Sequence, residues 1–195
     1  MFTVLSIQDP TRGAMTAKLD ASALIYLGKA DLLSLADKVY HGLAITTSVY
    51  NEAVTGGQSA GHRDAARIAR AVRDGSIQVV SLALAAQNLL NRATFPSALG
   101  PGEQETIVEA AAQQCLAVLD DVRARTAAVV MGIEFCRTET LLLEAMVAGL
   151  ISLSEFEASL LRLAQVRNMK ASELAELLRL GRLISEGLQH DRTST

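Results

Sequence analysis

The sequence predicts an α/β fold built on a mostly parallel sheet, and three observations carry the prediction. From Thr16 onward, short apolar runs of strand length alternate with longer stretches of helical periodicity, the pattern of strand–helix–strand units. Half of the 195 residues are hydrophobic and 20% are charged, enough apolar side chain for one sizeable core. After Gly149 the alternation ceases and two helical stretches follow one another with no strand between them.

Strands are expected at Ala17 to Asp20, Leu43 to Thr46, Ile77 to Val80, Leu116 to Leu119 and Ile133 to Phe135. The first connection reads as two helices, Ser22 to Leu27 and Leu32 to Val39, split by Gly28 and capped by Asp31. The second reads as Ser48 to Val54 and Arg63 to Arg73. A helix over Leu82 to Arg92 precedes a break at Phe95, Pro96, Gly100 and Pro101, and the next runs from Gly102 to Gln114. Helices over Val122 to Met131 and Thr138 to Ala148 complete the alternating part. Beyond it, Ser154 and Glu157 have capping-box spacing for a helix to Arg167, and a second helix spans Ser172 to Gly187 before a frayed tail from His190. Leu174, Leu177, Leu178, Leu180, Leu183, Ile184 and Leu188 give that last helix more apolar surface than one contact face requires, which leaves packing on the parent domain, or a dimer or partner surface, as its use. The expected organisation is an N-terminal extension over 1–15, a main domain over 16–150 and a C-terminal helical hairpin over 151–195.

Cys115 and Cys136 fall in apolar stretches and are too few for a disulfide framework, which fits a reducing, cytoplasmic setting. No apolar run approaches the roughly 18 residues of a membrane span, so no membrane partner is expected. A formal charge of −3 excludes a broad basic surface. There is no GxxxxGK[ST] loop, no GxGxxG after a strand and no GxSxG.

The acids are the informative residues. In a parallel sheet, the C-terminal ends of strands and the N-termini of the following helices share one edge, where ligands bind. Asp20 ends the first strand, and Glu52 lies about one turn into the helix after the second. Glu103 sits in the first turn of the helix opened by LGPGEQET, and Asp120 and Asp121 end the fourth strand. Each has an ordinary local role available as a cap or a helix-dipole partner. Together they are different, because carboxylates about 4 Å apart repel by roughly 4 kcal/mol per pair at an effective dielectric near 20. Such a cluster calls for a divalent cation. Oxygen-only ligands, with His41, His62 and His190 in unrelated contexts, favour Mg²⁺ or Mn²⁺ over Zn²⁺. A hard cation on carboxylates suits phosphodiester hydrolysis, with a spare carboxylate to orient the attacking water.

The ordered segments LDASALIYL, TTSVYNEAV, LGPGEQETIVEAA and LAVLDDVRAR resemble a PIN domain of the group related to VapC-type toxin nucleases, over residues 16–150. The resemblance implies a three-layer α/β/α PIN-like fold and Mg²⁺- or Mn²⁺-dependent cleavage of single-stranded RNA. It implies Asp20, Glu52, Glu103 and Asp121 as catalytic residues, and Asp20, Glu103, Asp120 and Asp121 as metal ligands, with Asp120 able to share or replace Asp121. It also implies a homodimer silenced by a small antitoxin protein. Two departures stand out: the third acid is Glu where many relatives have Asp, and CRTETLLL replaces the Gly-Thr pattern common after the fifth strand. That makes Thr138 a candidate for the pocket wall.

Arg63, Arg67, Arg70 and Arg73 recur at helical spacing opposite Ala65, Ile68, Ala69 and Val72, which makes either a solvated face or a track for a phosphate backbone. Arg123 and Arg125 follow the acidic pair and join Arg63, Arg67, Arg70 and Thr138 as candidate substrate contacts. The expected function is that of a toxin endoribonuclease of a type II toxin–antitoxin system. A non-cleaving PIN-like scaffold, or a nuclease acting on DNA or in RNA processing, stands as the alternative.

Overall fold

The computed structural model describes residues 16–193. The chain forms two compact units, one ending at Thr138 and the other beginning at Glu139. The extension predicted over 1–15 lies outside the described residues.

In the first unit, β1 (Ala17–Leu19) leads to α1 (Ala21–Ala30), α2 (Leu33–Tyr40) and β2 (Leu43–Thr46). A continuous helical run follows, made of α3 (Thr47–Tyr50), a π-helical segment (Asn51–Gly56) and α4 (Gly57–Ser59), and then α5 (Arg63–Arg73) and β3 (Ile77–Val80). Next come α6 (Leu84–Arg92), α7 (Pro101–Gln113), β4 (Ala117–Val118), α8 (Val122–Val130) and β5 (Phe135–Cys136). The five strands are all parallel, in the order β3-β2-β1-β4-β5. Register pairs Lys18 of β1 with Ala44 on one side and Ala117 on the other. The β1–β2–β3 connections run one way across the sheet and the β3–β4–β5 connections the other, and since crossovers between parallel strands are right-handed this puts the two sets on opposite faces, giving three layers, α/β/α.

Fully buried Leu19, Leu24, Leu43, Ile45 and Ile68 fill one part of the core. Leu99, Ile107, Ala117, Leu119, Ala124, Ala128 and Ile133 form a second cluster, with Phe95 and Phe135 packed against it. Each such Leu or Ile stabilises the fold by about 1.5–3 kcal/mol through burial. This accounts for a core with so few aromatics.

Several boundaries differ from those expected, each for a local reason. α1 runs through Gly28, because a Cβ there would stand 3.1 Å from Ile68 Cγ1; this glycine serves the close approach of α5, and the helix ends at Asp31 in a left-handed conformation. β5 starts at Phe135 because the Ile133 amide bonds back to Ala128 O, closing α8 instead of joining the ladder. β4 is two residues long, although Leu116 and Leu119 still bond neighbouring strands.

The second unit contains α9 (Thr140–Val147), α10 (Leu153–Arg167) and α11 (Ala171–Thr193). The expected helical hairpin is α10–α11, and α9, with Leu141, Leu142 and Met146 buried, belongs to the same unit, so the compact units divide before residue 150. The capping box is Ser152 with Glu155, not Ser154 with Glu157: Ser152 N–H and Oγ both donate to Glu155 Oε2 at 2.7 Å. Glu157 instead accepts from Arg182 Nε at 2.8 Å, linking α10 to α11. Gly181 lets α11 approach Phe156, since a Cβ would fall under 3.0 Å from the ring. Of the apolar stripe on α11, Leu177 is buried, Leu183 is exposed and Leu174, Leu178, Leu180, Ile184 and Leu188 are partly buried. The helix continues to Thr193 where fraying was expected from His190. Among the described residues, no helix is long and apolar enough to cross a membrane.

Candidate active site

Strand order reverses direction between β1 and β4, so the crevice at the C-terminal ends of these two strands is the topological switch point. Asp20 follows β1 and Asp120 lies just beyond β4, which brings two acids to that crevice.

Asp20 has no solvent exposure. It caps α1: its Oδ1 accepts from Ala23 N–H at 2.7 Å, and its Oδ2 accepts from Asp120 N–H at 3.4 Å. Burial pushes its carboxyl up to about 7, the Ala23 N–H opposes this, and the charges of Asp120 and Glu103 add to the rise. Asp120 is held by Thr138, whose amide donates to its Oδ1 at 3.3 Å and whose hydroxyl donates to its Oδ2. Arg125 donates to the Asp120 backbone carbonyl at 2.6 Å. Asp121 turns the other way and caps α8, accepting from Arg123 N–H at 2.7 Å and Ala124 N–H at 3.2 Å.

Glu103 reaches back from the first turn of α7 to accept from Gly100 N–H at 2.8 Å. Its carboxyl is raised chiefly by burial and then by the charges of Asp121 and Glu52, while the Gly100 N–H and Arg123 lower it. α7 is tied to β1 below this point by the Lys18–Glu109 ion pair at 3.8 Å and by Thr106 Oγ1, which donates to Leu19 O at 3.3 Å. Thr106 had no distinguishing signal in the sequence beyond being a threonine within a helix, where its hydroxyl also bonds Gly102 O at 2.8 Å. Glu52 is exposed and lies in the π-helical segment, with its Oε2 over Gly102.

The five acids thus stand within electrostatic reach of one another as two groups. Asp20 and Asp120 form an inner pair, and Glu103, Asp121 and Glu52 an outer set, with Glu103 coupled to both. The donor chemistry suits a hard divalent ion: all oxygen, mutually repelling, and with Arg123 as the cation that offsets Glu103. Among the described residues, however, no three His, Cys, Asp or Glu side chains converge closely enough to hold an ion as they stand.

The candidate substrate contacts are dispersed. Arg63 and Arg73 are exposed on α5. Arg70 pairs with Asp74 at 3.4 Å, and Arg67 donates to Gly28 O at 3.2 Å, closing a carbonyl near the end of α1. Arg123 is exposed at the rim beside Glu103. Thr138 is fully buried and acts on Asp120 from behind.

The sequence profile described as PIN domain matches residues 18–180. The chain belongs to the PIN-domain family. PIN domains are generally nucleases, typically dependent on divalent metal ions, and the all-parallel five-stranded sheet with flanking helices has the three-layer PIN-like form. The match runs past the main domain into α11, so the family's pattern takes in most of the second unit as well. No curated protein matches the chain.

Proposed function

We propose that this PIN domain is a Mg²⁺- or Mn²⁺-dependent endoribonuclease that hydrolyses single-stranded RNA and serves as the toxin of a type II toxin–antitoxin pair. The observation that carries the nuclease reading is the buried Asp20 at the switch point, raised to about 7 with further acids around it. A buried carboxyl crowded by other acids is one whose charged form a bound cation would stabilise. Asp20, Asp120, Glu103 and Asp121 would hold the ion. When bound, it would stabilise charge on the scissile phosphate and lower the pKa of water.

The chain's own groups divide the remaining work. Thr138 holds both oxygens of the Asp120 carboxylate, which fixes it in one rotamer, while the Asp120 N–H meets Asp20 Oδ2 at 3.4 Å. Exposed Glu52 accepts a proton from the attacking water at the rim. Arg123, Arg63 and Arg73 present guanidinium groups to the RNA backbone. The VapC-like resemblance adds a homodimer, a protein antitoxin and a cytoplasmic setting to the proposal. Cleavage of single-stranded RNA with Mn²⁺, compared between the native chain and Asp20→Asn, is the test.

A second reading, a PIN-like module that binds without cleaving, draws on the lack of three converged ligands among the described residues. Calorimetric titration with Mn²⁺ separates the two, since the nuclease binds the ion and a scaffold need not.

A further inference from the structure

Glu52 rides on a helical run whose α-helical pattern is interrupted where it matters: the π-helical segment starts at Asn51, immediately before it. The wider π turn leaves the direction of Glu52 to be fixed by what packs against the run. Two contacts with α7 do so. Gly102, buried at the second position of α7, meets the run through bare backbone: a Cβ there would stand 3.2 Å from Val49 Cγ2, 3.6 Å from Val49 N and 3.4 Å from Glu52 Oε2. One turn before Glu52, Ser48 Oγ donates to Glu105 Oε1 at 2.7 Å.

Gly102 has no left-handed backbone to satisfy, and in a helix glycine costs about 1 kcal/mol relative to alanine. Its contribution is therefore the space it leaves. The tight neighbour of that space is Val49 Cγ2 at 3.2 Å, which must give by a few tenths of an ångström for a methyl, while the Val49 backbone nitrogen behind it, at 3.6 Å, is met only by a larger side chain; a branched side chain at 102 therefore displaces the run and carries Glu52 away from Glu103.

We propose that Gly102 and Ser48 are positioning residues that set the distance of Glu52 from the acid cluster. The proposal rests on the nuclease reading for its consequence in activity, and on packing alone for its geometry. The test uses the full chain and the variants Gly102→Ala, Gly102→Val and Ser48→Ala, each with and without Glu52→Gln. Mn²⁺ affinity is measured calorimetrically without RNA, alongside kcat and KM for cleavage and thermal unfolding. Gly102→Val is expected to lower kcat about tenfold, as loss of the contact that holds a catalytic group does, with KM and Mn²⁺ affinity little changed because Glu52 is not among the ion's proposed ligands. Gly102→Ala and Ser48→Ala act in the same direction and less strongly, and Gly102→Ala does so without loss of thermal stability.

In the Glu52→Gln background all three effects vanish. Losses of equal size in that background mean a structural role and overturn the proposal, as does native behaviour of Gly102→Val. A crystal structure of metal-free Gly102→Val distinguishes the two levels. Displacement of Val49 and Glu52 from α7 in the variant, when the native chain neither binds Mn²⁺ nor cleaves RNA, refutes the nuclease reading and supports the positioning role. An unmoved Glu52 refutes the positioning role whatever the activity.

Discussion

Replacing Asp20 with Asn should make the metal-free protein more stable while abolishing cleavage. The carboxyl is fully buried and its pKa rises from the usual 3.8 to about 7. A raised folded-state value in a carboxyl means that the folded chain holds a proton the unfolded chain has released. Stability from this group is complete below pH 4, falls as pH rises toward 7 and is constant above that. About three pH units at roughly 1.4 kcal/mol each give a cost of about 4 kcal/mol above pH 7. Asn keeps the cap on Ala23 N–H, and Asn and Asp are equally good in that position. Its amide nitrogen meets Asp120 N–H where Oδ2 was an acceptor, which returns about 1 kcal/mol. A net gain of about 3 kcal/mol is expected at pH 8, shrinking as the pH falls and turning into a loss of up to about 1 kcal/mol near pH 4, where the native carboxyl is protonated in both states and only the lost Asp120 contact remains. Urea unfolding of both chains in chelator, at pH 4.5, 6 and 8, measures it. An Asp20→Asn chain less stable than the native one at pH 8, or a difference between them that does not change with pH, would refute a destabilising buried carboxylate at this position.

Other consequences follow from the same contacts. Mn²⁺ must displace the Asp20 proton, so calorimetric affinity should fall about tenfold per pH unit below 7 and level off above it. Thr138→Val removes the hydroxyl that holds Asp120 and should lower Mn²⁺ affinity and kcat by about 10–100-fold, with chain folding retained by circular dichroism. Arg67→Ala should cost about 1 kcal/mol in urea unfolding, because Gly28 O loses its donor, whereas Arg63→Ala and Arg73→Ala should leave stability unchanged and flatten the salt dependence of RNA binding. Gly181→Ala forces a methyl onto Phe156 and should destabilise α10–α11 by about 1–3 kcal/mol, seen as faster amide exchange in those helices.

The sequence carried the strand order of the acids because that order is a matter of chain position: an acid at a strand end or in a helix's first turn reaches the ligand edge of any parallel sheet. Asp20, Glu52, Glu103, Asp120 and Asp121 were legible in this way. How the acids divide was not. Asp120 and Asp121 are neighbours, and which faces Asp20 depends on Asp121 bonding the amides of Arg123 and Ala124 while Thr138, from the segment after β5, holds Asp120. Long-range pairings of that sort leave no periodic trace. Nor do glycines declare their purpose: Gly28 and Gly102 both read as helix breaks or starts, and both prove to be places where another element comes close. The Ser152–Glu155 box was displaced by two residues because Ser154 and Glu157 have the same spacing, and only Arg182 across the hairpin shows what Glu157 does. The four-arginine stripe was legible as a pattern, yet two of its members already have partners within the domain.

In the proposed function, the acids at the switch point work through a divalent ion on RNA. The most direct measurement of this is cleavage of a single-stranded RNA by the full chain at pH 8 with Mn²⁺, with Mn²⁺ plus excess chelator, and with Asp20→Asn in Mn²⁺. Cleavage is expected in the first reaction alone. Cleavage that survives both the chelator and the substitution would contradict it.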